Sequence, residues 1–286
     1  MLHAMKRSIP FASAWLQPDW PTIAGVHAIF TTRTGGVSTP PWDSMNLGDH
    51  VGDDPRDVAS NRALFAKALA QVGKCDVQPQ FLHQVHGVQV AQLPLPATAG
   101  RSFDASITTE SGQACTIMVA DCLPILIAHR HLGIVGAAHA GWRGLAGTAG
   151  VGVVEQLWHV YCRLAHQRNG GSVAEIAAQT QIWLGPCIGP QAFEVGAEVL
   201  AAFTAGAPQA QRCFTPGDAA QKWRADLSAL ARQRWQALGV RHLYGNDSSP
   251  PWCTVGNPLR FFSHRRDARE GGRTGRMAVA IWRTGA

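Results

Sequence analysis

Cys122 and His139 are the two residues of this chain whose types and positions could do chemistry together. His139 ends the apolar run Gly133 to Ala138 and opens the glycine-rich turn Ala140-Gly141-Trp142-Arg143-Gly144, a kind of place where function concentrates. Cys122 stands at the mouth of another apolar run, Thr116 to Ala120, beside the carboxylate of Asp121. A thiolate with a histidine base would make a nucleophile, and a thiolate with two histidines would hold a metal. The order and spacing match no short zinc signature such as HExxH or CxxC with HxxxH, so the residues by themselves leave both chemistries open. Asp121 could protonate a leaving group or orient a ligand histidine. Cys187, in Gly185-Pro186-Cys187-Ile188-Gly189-Pro190, is a rival nucleophile, but its glycine and proline neighbours supply no base.

Strand-length apolar runs must position these side chains. The segment Gln84 to Leu93 alternates, which sets His86 on the face shared by Val88 and Val90. Ile125 to His129 and Gly133 to Ala138 predict a hairpin. With the turn centred between residues 130 and 131, Cys122 comes opposite His139, and opposed residues have Cβ atoms ~4.5 to 5.5 Å apart, a spacing that suits two ligands of one metal. Pro124 must then lie at an edge or a bulge. A short strand, Ala28 to Thr32, precedes the loop Gly35 to Pro41, and a helix is predicted from Asp54 to Val72 with Pro55 in its first turn. A helical stretch follows the turn after His139 as far as Leu164, with Val153, Val154, Leu157 and Tyr161 as its apolar face. Beyond it come a strand at Gln181 to Leu184, helices at Val195 to Thr204 and Asp226 to Leu238, and a closing strand at Met277 to Trp282. Strict βαβ alternation is missing, so the expected class is α+β, with mixed β-sheets sandwiched between helical layers in a single domain.

Composition narrows the function classes. The chain has 286 residues and is 46% apolar, enough for a sizeable core. Ile117 to Ala128 is interrupted by Asp121 and Pro124, so nothing reaches the ~18 to 20 uninterrupted apolar residues of a membrane helix. Met5-Lys6-Arg7 followed by Ile9 to Leu16 imitates a signal peptide, but the run is short and holds Pro10, so it reads as part of the mature chain. Seven cysteines without a CxxC pair suit a reducing compartment, which makes the expected location cytoplasmic. The formal charge of +6 gathers at the end of the chain in Arg260, Arg265, Arg266, Arg269, Arg273, Arg276 and Arg283. That cluster would attract an anionic substrate such as phosphate; without interleaved aromatic residues it is not a nucleic-acid platform.

Seven ordered segments carry a resemblance. Thr32-Arg33-Thr34-Gly35-Gly36-Val37-Ser38, Ser44-Met45-Asn46-Leu47-Gly48, Gln84-Val85-His86-Gly87 and Ala120-Asp121-Cys122-Leu123-Pro124 are followed by Ala138-His139-Ala140-Gly141-Trp142-Arg143-Gly144, Leu184-Gly185-Pro186-Cys187-Ile188-Gly189-Pro190 and Phe262-Ser263-His264-Arg265-Arg266-Asp267. Together they resemble the YfiH-like, or laccase-domain, purine nucleoside phosphorylase family, also labelled polyphenol oxidase or peptidoglycan editing factor. The resemblance implies one catalytic domain over residues 1 to 286 with its core at about 26 to 282. It also implies a metal held by His86, Cys122 and His139, with His83 outside the set. His264 stands where the family commonly has an aromatic residue.

The activity implied is zinc-dependent phosphorolysis of adenosine, inosine, guanosine and methylthioadenosine, with deamination of adenosine; copper is the alternative metal. The partners implied are a purine nucleoside and phosphate, with no nucleic acid, no membrane, and a homodimer admitted. Two imidazoles and a thiolate would leave zinc one open position, as catalytic sites do. Arg33, Arg143 and Arg265 are candidates to hold phosphate, because arginine offers forked pairs of donors. Asn46 is a candidate contact to sugar or base, and Trp142 and Phe193 are candidates to stack on a purine. The rival readings are a metal-independent Cys122/His139 hydrolase acting on peptidoglycan precursors, a copper phenol oxidase, and a protein-binding module with a vestigial site.

Overall fold

The computed structural model describes residues 15–96, 100, 102–169, 171–267 and 272–285. Residues 1–14, which hold most of the signal-like stretch, and Arg269 of the basic cluster lie outside the described residues. No helix among the described residues is long and apolar enough to cross a membrane.

Two mixed sheets lie at the centre of the molecule. One has the order β1 (Val26–Phe30), β13 (Met277–Arg283), β5 (Gln113–Val119), β2 (Gln78–Phe81). The other runs β12 (His242–Gly245), β8 (Thr180–Leu184), β6 (Leu123–His129), β7 (Val135–Ala140), β4 (Ala105–Thr108), β3 (Val90–Leu93). A small third sheet joins β10 (Phe214–Pro216), β11 (Lys222–Ala225) and β9 (Glu194–Gly196).

The period-two placement of side chains explains why the long strands read as unbroken apolar runs. Ile117 and Val119 of β5 pack with Leu126 and Ala128 of β6 and Val135 and Ala137 of β7, so the two large sheets share one apolar layer. The opposite face of the six-stranded sheet, with Ile125, Ile127 and Ala138, packs on Val153, Val154, Leu157 and Tyr161 of α3 (Val153–Asn169). The outer face of the four-stranded sheet, with Ile29, Met118, Ala278 and Ala280, is covered by Phe65, Ala68 and Leu69 of α1 (Pro55–Gly73). The result is the expected sandwich of sheets between helical layers. Helix α1 begins as predicted, with Pro55 in its first turn and the Asp54 side chain accepting the Arg56 N–H, and it ends where Lys74 turns left-handed at φ 53°. The remaining helices are α2 (Trp142–Ala146), α4 (Val173–Ala178), α5 (Ala197–Thr204), α6 (Leu227–Ala237) and α7 (His264–Asp267).

Three expectations near the site are corrected. The first is the register of the β6–β7 hairpin: His139 pairs with Pro124 and Ala140 with Leu123, so Cys122 lies beyond the last pair instead of opposite His139. The cause is a longer turn. His129 pairs across it to Ile134, and the His129 Nδ1 accepts the N–H groups of His131 and Leu132 at 3.1 and 3.2 Å. The second concerns Pro124, which lies in a central strand; its carbonyl accepts the Gly185 N–H just where β8 stops at Leu184, so its missing N–H interrupts no ladder. The third is the stretch Gln84 to Leu93, of which only Val90–Leu93 is strand, while His86 sits in a turn at φ 59° and is exposed.

The hairpin turn depends on an unprotonated Nδ1 in a residue only 2% exposed, and burial, aided by His131, lowers the pKa of His129 from 6.5 to about 4. A depressed folded-state value stabilises fully above the unfolded value near 6.5 and is lost as pH falls through about 4. Between pH 7 and pH 4 wild type should therefore lose about 2 to 3 kcal/mol through this residue. His129→Gln should lower stability at pH 7 by ~1 kcal/mol and flatten the acid slope. Equal slopes in urea melts of both proteins would show that another group titrates.

Candidate metal centre

Three segments meet at one end of the central sheets. Asp121 and Cys122 join β5 to β6, His139 lies near the end of β7, and the loop 84–87 comes in from β2. The Cys122 Sγ and His86 Nε2 are 3.6 Å apart, and the His86 and His139 rings stand edge to face with centroids 4.7 Å apart. Ligand atoms of the three residues all lie within 4.8 Å of one another.

Asp104, immediately before β4, holds this arrangement. Its carboxylate accepts the N–H groups of Val85 (3.2 Å), His86 (2.9 Å) and Gly87 (2.6 Å), and the Nδ1–H of His139 (2.8 Å). Three successive N–H groups can point at one anion only if the backbone curls around it, which accounts for the positive φ of His86. The same loop is splinted to β5 by Gln84, whose side-chain amide donates to the Met118 carbonyl and accepts the Met118 N–H, both at 2.7 Å. Gly141 provides the space: a Cβ there would stand 2.7 Å from His86 Cδ2 and 3.0 Å from Cys122 Sγ.

The charges are coupled. Burial alone would push the Cys122 thiol up, but the two histidines, His139 foremost, hold it well below its ordinary range. Burial would push His139 down, but the Cys122 thiolate and Asp104 hold it above its ordinary value. Asp104 is raised by burial and brought below the usual carboxylate range by His139 and by the Gly87 and Val85 N–H groups. The donor set fits a metal. With zinc–sulfur and zinc–nitrogen distances of ~2.3 and ~2.0 to 2.1 Å, a tetrahedral thiolate–imidazole pair spans roughly 3.5 Å, close to the spacing found here. Because Asp104 takes the Nδ1–H of His139, the Nε2 lone pair is left for the ion.

The other residues singled out from sequence are placed as follows. His83 is exposed, with Nδ1 3.5 Å from Ser102 Oγ, and does not join the trio. Asp121 is buried with its carboxylate taken by Thr254 Oγ1 (2.5 Å), Ser263 Oγ (3.1 Å) and the Arg265 N–H (2.6 Å). The carboxylate on His139 is thus Asp104, not Asp121. Arg33 donates to the Asp43 carbonyl and carboxylate and to the Pro258 carbonyl, and lies over the Phe262 ring. Arg265 donates to the carbonyls of Ala192 and Glu194 over Phe193. These two guanidiniums brace loops, whereas Arg143 is exposed and lies over the ring of Trp142. Asn46 is fully buried and bonded to Gly48, Asp53 and Arg276. The Cys187 thiol is pushed well up by burial, then by Asp226, Cys253 and Asp121, and accepts from Asn246, as inert packing would. Asp104 and Gln84 were not among the sequence candidates for the site; the one available signal was an acid set directly before the buried run Ala105 to Thr108.

The chain is similar to known proteins over nearly its whole length. A family model described as multi-copper polyphenol oxidoreductase laccase matches residues 27–284. The purine nucleoside phosphorylase PA4543 of Pseudomonas aeruginosa is 43% identical over 270 residues, covering 94% of this chain and 98% of its own length. The purine nucleoside phosphorylase YfiH of Escherichia coli is 44% identical over 271 residues, covering 94% and 99%. Among solved structures, Neisseria meningitidis protein NMB0706 matches with a TM-score of 0.78 at 38% identity, over 95% of this chain and 100% of that one. YlmD from Geobacillus stearothermophilus matches with a TM-score of 0.78 at 31% identity, over 95% and 97%.

Asp104→Asn removes the partner that orients His139, and should weaken metal binding about 10- to 100-fold. Gly141→Ala, which needs no change of backbone at φ −66°, should cost at least as much affinity because its Cβ intrudes between His86 and Cys122. Metal content by mass spectrometry and chelator competition read both variants. Wild-type affinity in both would show that the metal is held elsewhere.

Proposed function

We propose, from the premise that this chain belongs to the multi-copper polyphenol oxidoreductase laccase family, that it is a zinc-dependent purine nucleoside phosphorylase. The observation that carries the reading is the convergence of His86, Cys122 and His139 in a chain whose relatives at 43% and 44% identity are named for that activity. The substrates proposed are adenosine, inosine, guanosine and methylthioadenosine with inorganic phosphate; deamination of adenosine is proposed as a second activity of the same centre.

Zinc at this centre supplies a Lewis acid. The chain's own residues do the rest. His86, Cys122 and His139 are the ligands, and Asp104 keeps the His139 proton on Nδ1 so that Nε2 faces inward. In phosphorolysis an oxygen of hydrogen phosphate forms a bond to C1′ of the ribose while the bond from C1′ to the purine nitrogen breaks, and the departing nitrogen keeps the electron pair and takes up the proton that the phosphate gives up. Arg143 has the exposed guanidinium to meet an anion at the rim.

The His₂Cys set can also serve copper. Zinc is preferred because the 3.6 Å Cys122–His86 spacing suits a tetrahedron and because the described residues hold one such cluster, where multi-copper oxidation needs several. A second reading has its own observation. Cys122, His139 and Asp104 are also ordered as a thiol nucleophile, base and orienting carboxylate, which would suit a metal-independent hydrolase of peptidoglycan precursors.

Product chromatography after incubation with adenosine, with and without phosphate, separates these readings. Phosphate-dependent adenine and phosphate-independent inosine are expected, both lost on chelation and restored by zinc. Cys122→Ala should lose bound zinc and turnover together, by more than the ~100-fold that removal of an outer partner can cost. His83→Ala should stay within about twofold of wild type, as substitutions outside a site do. Turnover that survives chelation would overturn the zinc reading in favour of the thiol.

A further inference from the structure

The chain's basic end holds an arginine with no role so far. Arg276 stands immediately before β13; the pairing of Met277 with Val119 sets it beside Ala120, two residues before Cys122. Its Nη1 donates to the carbonyls of Thr274 (3.0 Å) and Gly275 (3.3 Å). Among the described residues nothing accepts from its Nε or Nη2, so one edge of the guanidinium is free. The neighbouring Arg62 is engaged, with Nε on the Leu47 carbonyl, Nη2 on Asp49 and its plane over Phe81.

The segment Ser44 to Gly48 converges on this arginine. Asn46 Oδ1 accepts the Arg276 N–H (2.8 Å) and the Gly48 N–H (2.9 Å), while its Nδ2 is anchored on Asp53 and the Gly48 carbonyl. The Arg276 stem crosses Gly48 so closely that a Cβ there would lie 2.8 Å from Arg276 Cγ. A buried asparagine and an obligatory glycine thus fix a half-buried cation at the end of β5, beside the candidate centre.

We propose that Arg276 holds the inorganic phosphate of the reaction, and that Asn46 and Gly48 are positioning residues for its guanidinium; this rests on reading the chain as a phosphorylase. Burial depresses the proton affinity of Arg276, while Cys122 and Asp121 sustain it. A divalent ion held by His86, Cys122 and His139 would keep net positive charge after one thiolate, and the Arg276 guanidinium adds its own. A phosphate dianion would meet there a guanidinium edge that has donors to give.

The test is the KM for phosphate at saturating adenosine, with bound zinc measured on each protein. Arg276→Gln should raise it about tenfold or more, and Arg276→Lys should recover part of the loss, since a charge without a fork remains. Gly48→Ala, which leaves the guanidinium in the chain but displaces its stem, should raise the phosphate KM with kcat at saturating phosphate little changed. Arg130→Gln, which removes equal charge at the far hairpin turn, should leave it unchanged. An unchanged phosphate KM in a zinc-replete Arg276→Gln protein overturns the proposal and leaves the phosphorylase reading standing. If Arg276→Gln fails to fold, Gly48→Ala decides by the same criterion. If wild type shows no phosphorolysis, that reading falls, and ³¹P line broadening of inorganic phosphate decides the rest. Broadening by wild type and not by the variant keeps Arg276 as an anion site, and equal behaviour of the two overturns it.

Discussion

One buried carboxylate organises the candidate centre. Asp104 has no exposed surface, and an ionised carboxylate in such a place is costly unless donors surround it. Here four donors do, three from consecutive backbone N–H groups of the loop 84–87 and one from His139. The bonds act in both directions. They keep Asp104 charged, and they force the loop into the left-handed turn that brings His86 over Cys122 while fixing the proton of His139 on Nδ1.

A second buried carboxylate, Asp121, works on the other side of Cys122. Its oxygens gather Thr254, Ser263 and the Arg265 N–H, and its carbonyl takes the Ile188 N–H, so loops distant in sequence close around the β5–β6 junction. Asp121 is itself at φ 89°, a conformation that such a web of bonds can hold. The two acids divide the labour, Asp104 placing ligands and Asp121 placing the walls. The sheets support this arrangement, since β5, β6 and β7 are packed on both faces, and a close-packed interior resists deformation.

The hydrogen bonds around the arginines follow the same logic. A guanidinium whose nitrogens all meet carbonyl or carboxylate acceptors, as in Arg33, is a brace, and one with an idle edge, as in Arg276, is available to a ligand. Asn46 shows why a polar residue in a striking motif is hard to assign from sequence. It is a candidate from sequence to touch substrate, yet its side chain is consumed by the backbone of Gly48 and Arg276 and by the Asp53 carboxylate, and its bearing on the site runs through Arg276.

The sequence by itself determined what local physics controls. Apolar runs of strand length and helical stripes marked the strands β5 to β8, helices α1, α3 and α6, and the sandwich they form, because burial on both faces of a strand or along one face of a helix is written in local sequence. It also drew attention to Cys122 and His139, since a thiol and an imidazole at strand ends are chemically conspicuous. Tertiary structure decided the hairpin register, because two N–H groups captured by His129 lengthen a turn that spacing alone cannot measure. It decided that His86 leaves the strand pattern and that Asp104, not Asp121, orients His139. It also decided which arginine keeps a free edge. The turn at His86 and the partner of His139 are fixed by hydrogen bonds between residues far apart in the chain, and the hairpin turn by a side chain folding back on its own backbone; no periodicity or composition records which donor a buried acceptor will find.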